Sequence, residues 1–121
     1  MTPDISADFW NALDQLVNVS PLVIDRPRGS HHPRYPDFIY PLDYGYLDGT
    51  TASDGGGIDV WCGASGNRDL SAVILTVDLL KRDTELKLML GCNEAEYQTV
   101  LEFLNGKSMR ATLVRRPKET K

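Results

Sequence analysis

Four aspartates have the residue type and spacing for chemistry. Asp54 and Asp59 flank Gly55-Gly56-Gly57-Ile58, and Asp78 and Asp83 flank Leu79-Leu80-Lys81-Arg82. The first pair sets one carboxylate in a glycine loop and the other at the start of a strand. The second pair brackets a turn between two strands. If the two turns meet at one mouth of the fold, four carboxylates converge. Like charges at close range repel, so convergence demands cations. Oxygen-only donors suit Mg²⁺, which keeps several waters and is completed by substrate phosphates. The competing reading is that each aspartate serves its own turn by hydrogen-bonding nearby backbone. That reading is the simpler one for any single aspartate. For the four together both readings stand.

A basic segment precedes the acidic one. Residues 26–36 hold Arg26, Arg28, His31, His32 and Arg34 and no acid. Residues 35–67 hold Asp37, Asp43, Asp48, Asp54 and Asp59 and no Lys or Arg. Arginine forks match phosphate oxygens bidentately. Arg28, Arg34, Lys81, Arg82 and Lys87 are therefore candidates to face a polyphosphate, although Arg26, Lys81 and Arg82 read equally as solvated loop residues. Adjacent His31 and His32 cannot share a face as paired metal ligands do, and read as exposed loop residues. Gly106-Lys107-Ser108 ends like a phosphate loop, but Leu101 occupies the first glycine position and a helix precedes it. No serine or cysteine has the setting of an activated nucleophile.

The elements that must position these residues follow from periodicity. Ile5, Phe9, Trp10, Leu13, Leu16 and Val17 are at helical spacing over 4–18, with Asp4 or Ser6 as cap and Ser20-Pro21 as stop. Leu22–Ile24 reads as a strand, and the proline-rich 26–36 as a loop. Phe38–Tyr40, Tyr44–Leu47, Ile58–Cys62 and Ser71–Val77 are β-prone. Glu85–Gly91 alternates as a half-buried strand. Asn93 with Glu96 forms a capping box for a second helix to Asn105, with Gly106 just past its end. Met109–Val114 closes the ordered part as a strand, and 115–121 reads as a basic tail. The sum is a single α+β domain over 1–121, a small antiparallel barrel with flanking helices: helix 1–20, barrel and second helix 21–114, tail 115–121.

Composition bounds the function. Thirteen Lys and Arg against seventeen Asp and Glu give a net charge of −4, which argues against a nucleic-acid or anionic-membrane coat. Two distant cysteines, Cys62 and Cys92, exclude a zinc ribbon or a disulfide framework and read as free thiols. The apolar run Ala72–Leu80 is too short to span a bilayer. Met1–Trp10 has neither a basic nor an apolar leader region, so the expected location is the cytoplasm.

Three linked motifs then carry a resemblance. Val23-Ile24-Asp25-Arg26-Pro27-Arg28-Gly29-Ser30 is similar to "IEIPKGS", Tyr40-Pro41-Leu42-Asp43-Tyr44-Gly45-Tyr46 to "YPxNYGY", and Asp54-Gly55-Gly56-Gly57-Ile58-Asp59-Val60 to "DGDPLDV". These are motifs of the soluble (family I) inorganic pyrophosphatases, and Asp78 with Asp83 resembles that family's second aspartate pair. The resemblance covers Leu22 to Leu88. It implies an OB-like barrel and Mg²⁺-dependent hydrolysis of pyrophosphate to two phosphates. It implies Asp54, Asp59, Asp78 and Asp83 as metal ligands, with Asp25 where the family has a metal-associated glutamate. It sets Tyr40 and Tyr44 at the border of the site, and Tyr44, Arg34, Lys87 and Arg28 on the phosphates. Tyr44, Arg34 and Lys87 would serve catalysis. Lys87 matches the family's lysine only with an insertion; without it Glu85 falls there. Family members commonly form homo-oligomers.

The chain also departs from the family. Gly56 stands where the family has the aspartate that positions the attacking water, and Pro36 where it has a glutamate. A phosphate-binding hairpin and a C-terminal Tyr-Lys pair have no match. The departures imply weak turnover, or action on a related phosphoanhydride. The alternative is a non-catalytic protein that binds a phosphorylated ligand or a protein partner.

Overall fold

The computed structural model describes residues 5–118. Two helices and six strands follow the order α1 (Ile5–Val19), β1 (Leu22–Arg26), β2 (Asp43–Leu47), β3 (Ile58–Cys62), β4 (Leu70–Asp78), β5 (Asp83–Leu90), α2 (Glu94–Leu104) and β6 (Met109–Arg115). In α1, Trp10, Leu13 and Val17 are buried while Phe9 and Leu16 stay exposed, so the apolar stripe is narrower than the sequence suggests. Ser6 lies inside the helix, and Asp4 lies outside the described residues. Pro21 cannot continue the helix. Its last carbonyls are instead met by Arg68, whose Nη2 donates to Val17 O at 2.7 Å and Ser20 O at 3.1 Å. The expected capping box opens α2: Glu96 N–H donates to the Asn93 side chain and Asn93 N–H to the Glu96 carboxylate, both at 2.9 Å.

The strands form one mixed sheet in the order β1-β2-β3-β5-β4-β6. This corrects the antiparallel expectation, because β3 and β5 pair in parallel, with Asp59 opposite Lys87 and Trp61 opposite Met89. The reason is the loop over 63–69. It carries the chain across one strand slot, about 10 Å, so β4 lies one place beyond β3. The β4–β5 hairpin then returns β5 into the gap, alongside β3 and in the same direction. Gly63 is required at this crossing, where a Cβ would lie 2.1 Å from Gly91 O. The pairings of the described residues run from β1 to β6 without joining these two ends. Phe38–Tyr40 is not a strand; only Ile39 makes a single bridge, to His31. Arg115 ends β6, and Arg116 donates to both Asp14 oxygens at 2.8 Å, so the expected basic tail is tied back onto α1 there. Residues 119–121 lie outside the described residues.

Both faces of the sheet are covered. Trp10, Leu13 and Val17 of α1 pack with Leu47, Val60, Val73, Leu88 and Leu90. On the opposite face Tyr97 and Val100 of α2 pack with Trp61, Ala72, Ile74 and Met89, joined by Tyr40 and Leu42 from the segment before β2. Each fully buried Leu, Ile or Met contributes about 1.5–3 kcal/mol. Two-sided cover explains why β5 is not half-buried as its alternation suggests: Lys87 and Met89 are buried as well as Leu88 and Leu90. Among the described residues no helix is long and apolar enough to cross a membrane.

Candidate functional site

Side chains alternate across a strand, so residues two apart share a face. On β5 the run Met89, Lys87, Glu85, Asp83 lies on the α2 face; on β4 the matching run is Ala72, Ile74, Thr76, Asp78. One face therefore changes along its length from apolar, under α2, to polar. On β3, Trp61 and Asp59 make the same change, and Tyr44 sits opposite Trp61 on β2. Tight approach of β1 to β2 fixes this register, since a Cβ at Gly45 would lie 1.8 Å from Val23 O.

Lys87 is the centre of the polar part. It is only 5% exposed. Its Nζ donates to Tyr44 Oη and Asp59 Oδ2, both at 2.9 Å, and to Glu85 Oε2 at 3.1 Å. Asp54 joins through its contact with the Glu85 side chain, and its Oδ1 accepts from Gly56 N–H at 2.9 Å. An aromatic wall backs the cluster. The Tyr44 ring lies 4.5 Å from Trp61 and 5.6 Å from Tyr40 between centroids.

The electrostatics follow from burial and partners. Burial pushes the Tyr44 phenol well above its usual value, so Tyr44 is a neutral hydroxyl. Burial alone would lower Lys87, but the Tyr44 oxygen and the Asp59 and Glu85 carboxylates outweigh it and the ammonium persists. Burial raises Glu85, while the Gly56 N–H and the Glu85 contact lower Asp54. Burial likewise pushes the free thiol of Cys62 up to about 11, which leaves it unreactive.

The other sequence candidates are placed as follows. Asp78 and Asp83 are paired across the end of the β4–β5 hairpin. Asp83 is four residues from Lys87, about 13 Å along an extended strand. Asp78 Oδ1 accepts from Leu80 N–H at 3.0 Å, Lys81 N–H at 3.1 Å and Ser108 Oγ at 3.2 Å, and the Lys81 N–H foremost lowers its pKa. Asp25 is exposed on β1, 3.9 Å from Arg26. Arg28 and Arg34 are exposed in the loop before β2, where the Arg28 backbone N–H donates to Asp43 at 2.8 Å. The pKa of His32 in that loop is lowered by burial and by the charges of Arg26, Arg34 and Lys81.

The structure thus gathers Asp54, Asp59, Tyr44 and Lys87, and adds Glu85. The spacing of Glu85 and Lys87, two apart on one strand, was the available signal for that addition. The donor types suit a hard cation, but the arrangement does not. Asp59 Oδ2 and Glu85 Oε2 already accept from Lys87, and Asp78 Oδ1 is saturated by its turn. Among the described residues no three His, Cys, Asp or Glu side chains form a group that could hold a metal ion.

No family model and no curated protein matches the sequence. The fold, by contrast, is that of bacterial inorganic pyrophosphatases. The enzyme of Thermus thermophilus superposes with a TM-score of 0.57 at 20% identity, over 78% of this chain and 81% of that one. The pyrophosphatase of Helicobacter pylori gives 0.55 at 14% identity, and the inorganic phosphatase of Anaplasma phagocytophilum 0.55 at 16%, each over the same shares of the two chains.

Proposed function

We propose that this chain hydrolyses inorganic pyrophosphate or a related phosphoanhydride, slowly, at the polar end of the α2 face. The observation that carries the reading is the Tyr44–Asp59–Lys87 cluster on a pyrophosphatase fold. Fold likeness is an analogy for function; the cluster and the basic loop are this chain's own support for it. In the reaction a water oxygen attacks one phosphorus, the bridging P–O bond breaks, and the proton of the water ends on phosphate. Asp59 receives that proton first. Lys87 holds Asp59 and Tyr44 in one geometry, and Tyr44 stays a hydroxyl. Arg28 and Arg34 neutralise the phosphate oxygens.

Mg²⁺ accompanies the class and would supply charge neutralisation and an activated water. The carboxylates as arranged do not fit it, so no step is assigned to it. The missing carboxylate at Gly56 is a further reason for slow turnover, since losing a general base costs about 10²–10⁴-fold. We read the open sheet as the OB-like barrel of that class, with β1 and β6 at its seam. The same reading carries a cytoplasmic location and self-association.

The test is phosphate release from pyrophosphate, with and without Mg²⁺, for the wild type and Asp59→Ala. Slow release that Asp59→Ala abolishes is expected. No release above background at high protein concentration overturns the hydrolase reading. A second reading, a non-catalytic protein that binds a phosphorylated ligand or a partner, is favoured by one observation: all three Lys87 hydrogen bonds go to protein oxygens. Calorimetric binding of pyrophosphate without turnover supports it.

A further inference from the structure

An ammonium has three N–H donors, and each of Lys87's finds an oxygen: Tyr44 on β2 and Asp59 on β3 at 2.9 Å, Glu85 on β5 at 3.1 Å. The donor count is satisfied by protein alone. The three acceptors come from three neighbouring strands, so one cation ties β2, β3 and β5 together. The backbone dictates this, because the parallel register sets Lys87 directly opposite Asp59. Mg²⁺ would need oxygens at about 2.0–2.1 Å in a near-octahedral shell. These oxygens are spread around a nitrogen at 2.9–3.1 Å instead. The Lys87 ammonium occupies the position between Asp59 and Glu85 that a bridging divalent ion would take.

We propose that the Lys87 ammonium stands in for a divalent cation: it pairs with Asp59 and Glu85 from within, and the site needs no metal ion to hold its carboxylates together. The carboxylates outnumber the ammonium, since Asp59 and Glu85 share it. Removing the lysine therefore leaves oxygen donors that a metal can claim. The proposal concerns cation occupancy and is independent of which phosphate compound the site takes.

Mn²⁺ is the probe, read by paramagnetic broadening of backbone amide signals and by water-proton relaxation. In the wild type, millimolar Mg²⁺ or a chelator is expected to leave the melting temperature unchanged. Mn²⁺ is expected to leave the Asp59 and Lys87 amides unbroadened. Lys87→Met is expected to bind Mn²⁺ on the order of 10–100-fold more tightly than the wild type, with broadening centred on Asp59 and Glu85. Lys87→Arg, which keeps the charge, is expected to stay metal-insensitive. Selective broadening at Asp59 in the wild type, or no gain in a folded Lys87→Met, overturns the proposal. If Lys87→Met does not fold, the wild-type spectra decide alone: broadening overturns the proposal and its absence supports it. The readout is metal occupancy, so failure of the pyrophosphate assay leaves it intact.

Discussion

Asp54 and Asp59 span a loop that delivers them to the middle of the sheet, whereas Asp78 and Asp83 span a hairpin turn at its end. The two pairs have the same spacing and meet different neighbours. Asp59 is the second residue of β3 and faces a buried lysine across a parallel register. Asp54 reaches the same group through Glu85. Asp78 satisfies the amides of its own turn and the Ser108 hydroxyl. The Asp83 side chain has no hydrogen-bond or ion-pair partner among the described residues. The turn reading of the aspartates therefore describes the second pair, and the charge-cluster reading the first. What separates them is the residue that the sheet sets opposite, since an isolated carboxylate in a turn can be satisfied locally.

The comparison can be broken by substitution, and the effects should fall off from the first pair to the second. Lys87→Ala leaves the half-buried Asp59 and Glu85 uncompensated. It should cost about 3–5 kcal/mol in denaturant unfolding, as loss of one partner of a buried pair does. A cost below about 1 kcal/mol would mean that the cluster is solvated. Tyr44→Phe removes one acceptor from the ammonium and should cost about 1–3 kcal/mol by the same measurement. Ser108→Ala takes one of three donors from Asp78 and should cost about 0.5–1.5 kcal/mol. Asp83→Asn should stay within about 0.5 kcal/mol of the wild type; a larger loss would show that the hairpin carboxylate carries structural weight.

Gly56→Asp sharpens the same contrast through activity. A Cβ there meets only Asp54 Oδ1 at 3.5 Å, so the side chain fits. The substitution returns a carboxylate to the loop of the first pair, and phosphate release from pyrophosphate should rise. An unchanged or lower rate would argue that water is activated another way.

Much of the fold was legible because its signals are local. The α2 capping box, the stop at Pro21 and the extended character of β5 are read from a few neighbouring residues, and α1, α2 and six of the seven expected strands lie close to their predicted places. Phe38–Tyr40 misled because aromatic β-propensity there serves packing: Phe38 and Tyr40 contribute rings to the cluster around Phe103. The parallel β3–β5 pair was hidden because strand order depends on how far the 63–69 loop reaches, which periodicity does not encode.

The candidate site divides along the same line. The sequence by itself determined the residue types: the aspartate pairs, the Tyr44 motif, the basic loop and the acidic stretch after it. It also fixed the two-residue spacing that sets Glu85 and Lys87 on one face, because that face follows from the backbone pleat alone. Only the tertiary structure decided which charges meet. A salt bridge between Lys87 and Asp59 joins residues 28 apart in the chain, and its existence depends on a register set by a neighbouring hairpin. In the sequence the four aspartates share a type and a spacing, which leaves a common group and separate turns equally open. Folding separates them, because each carboxylate takes the partner that its own strand brings within reach.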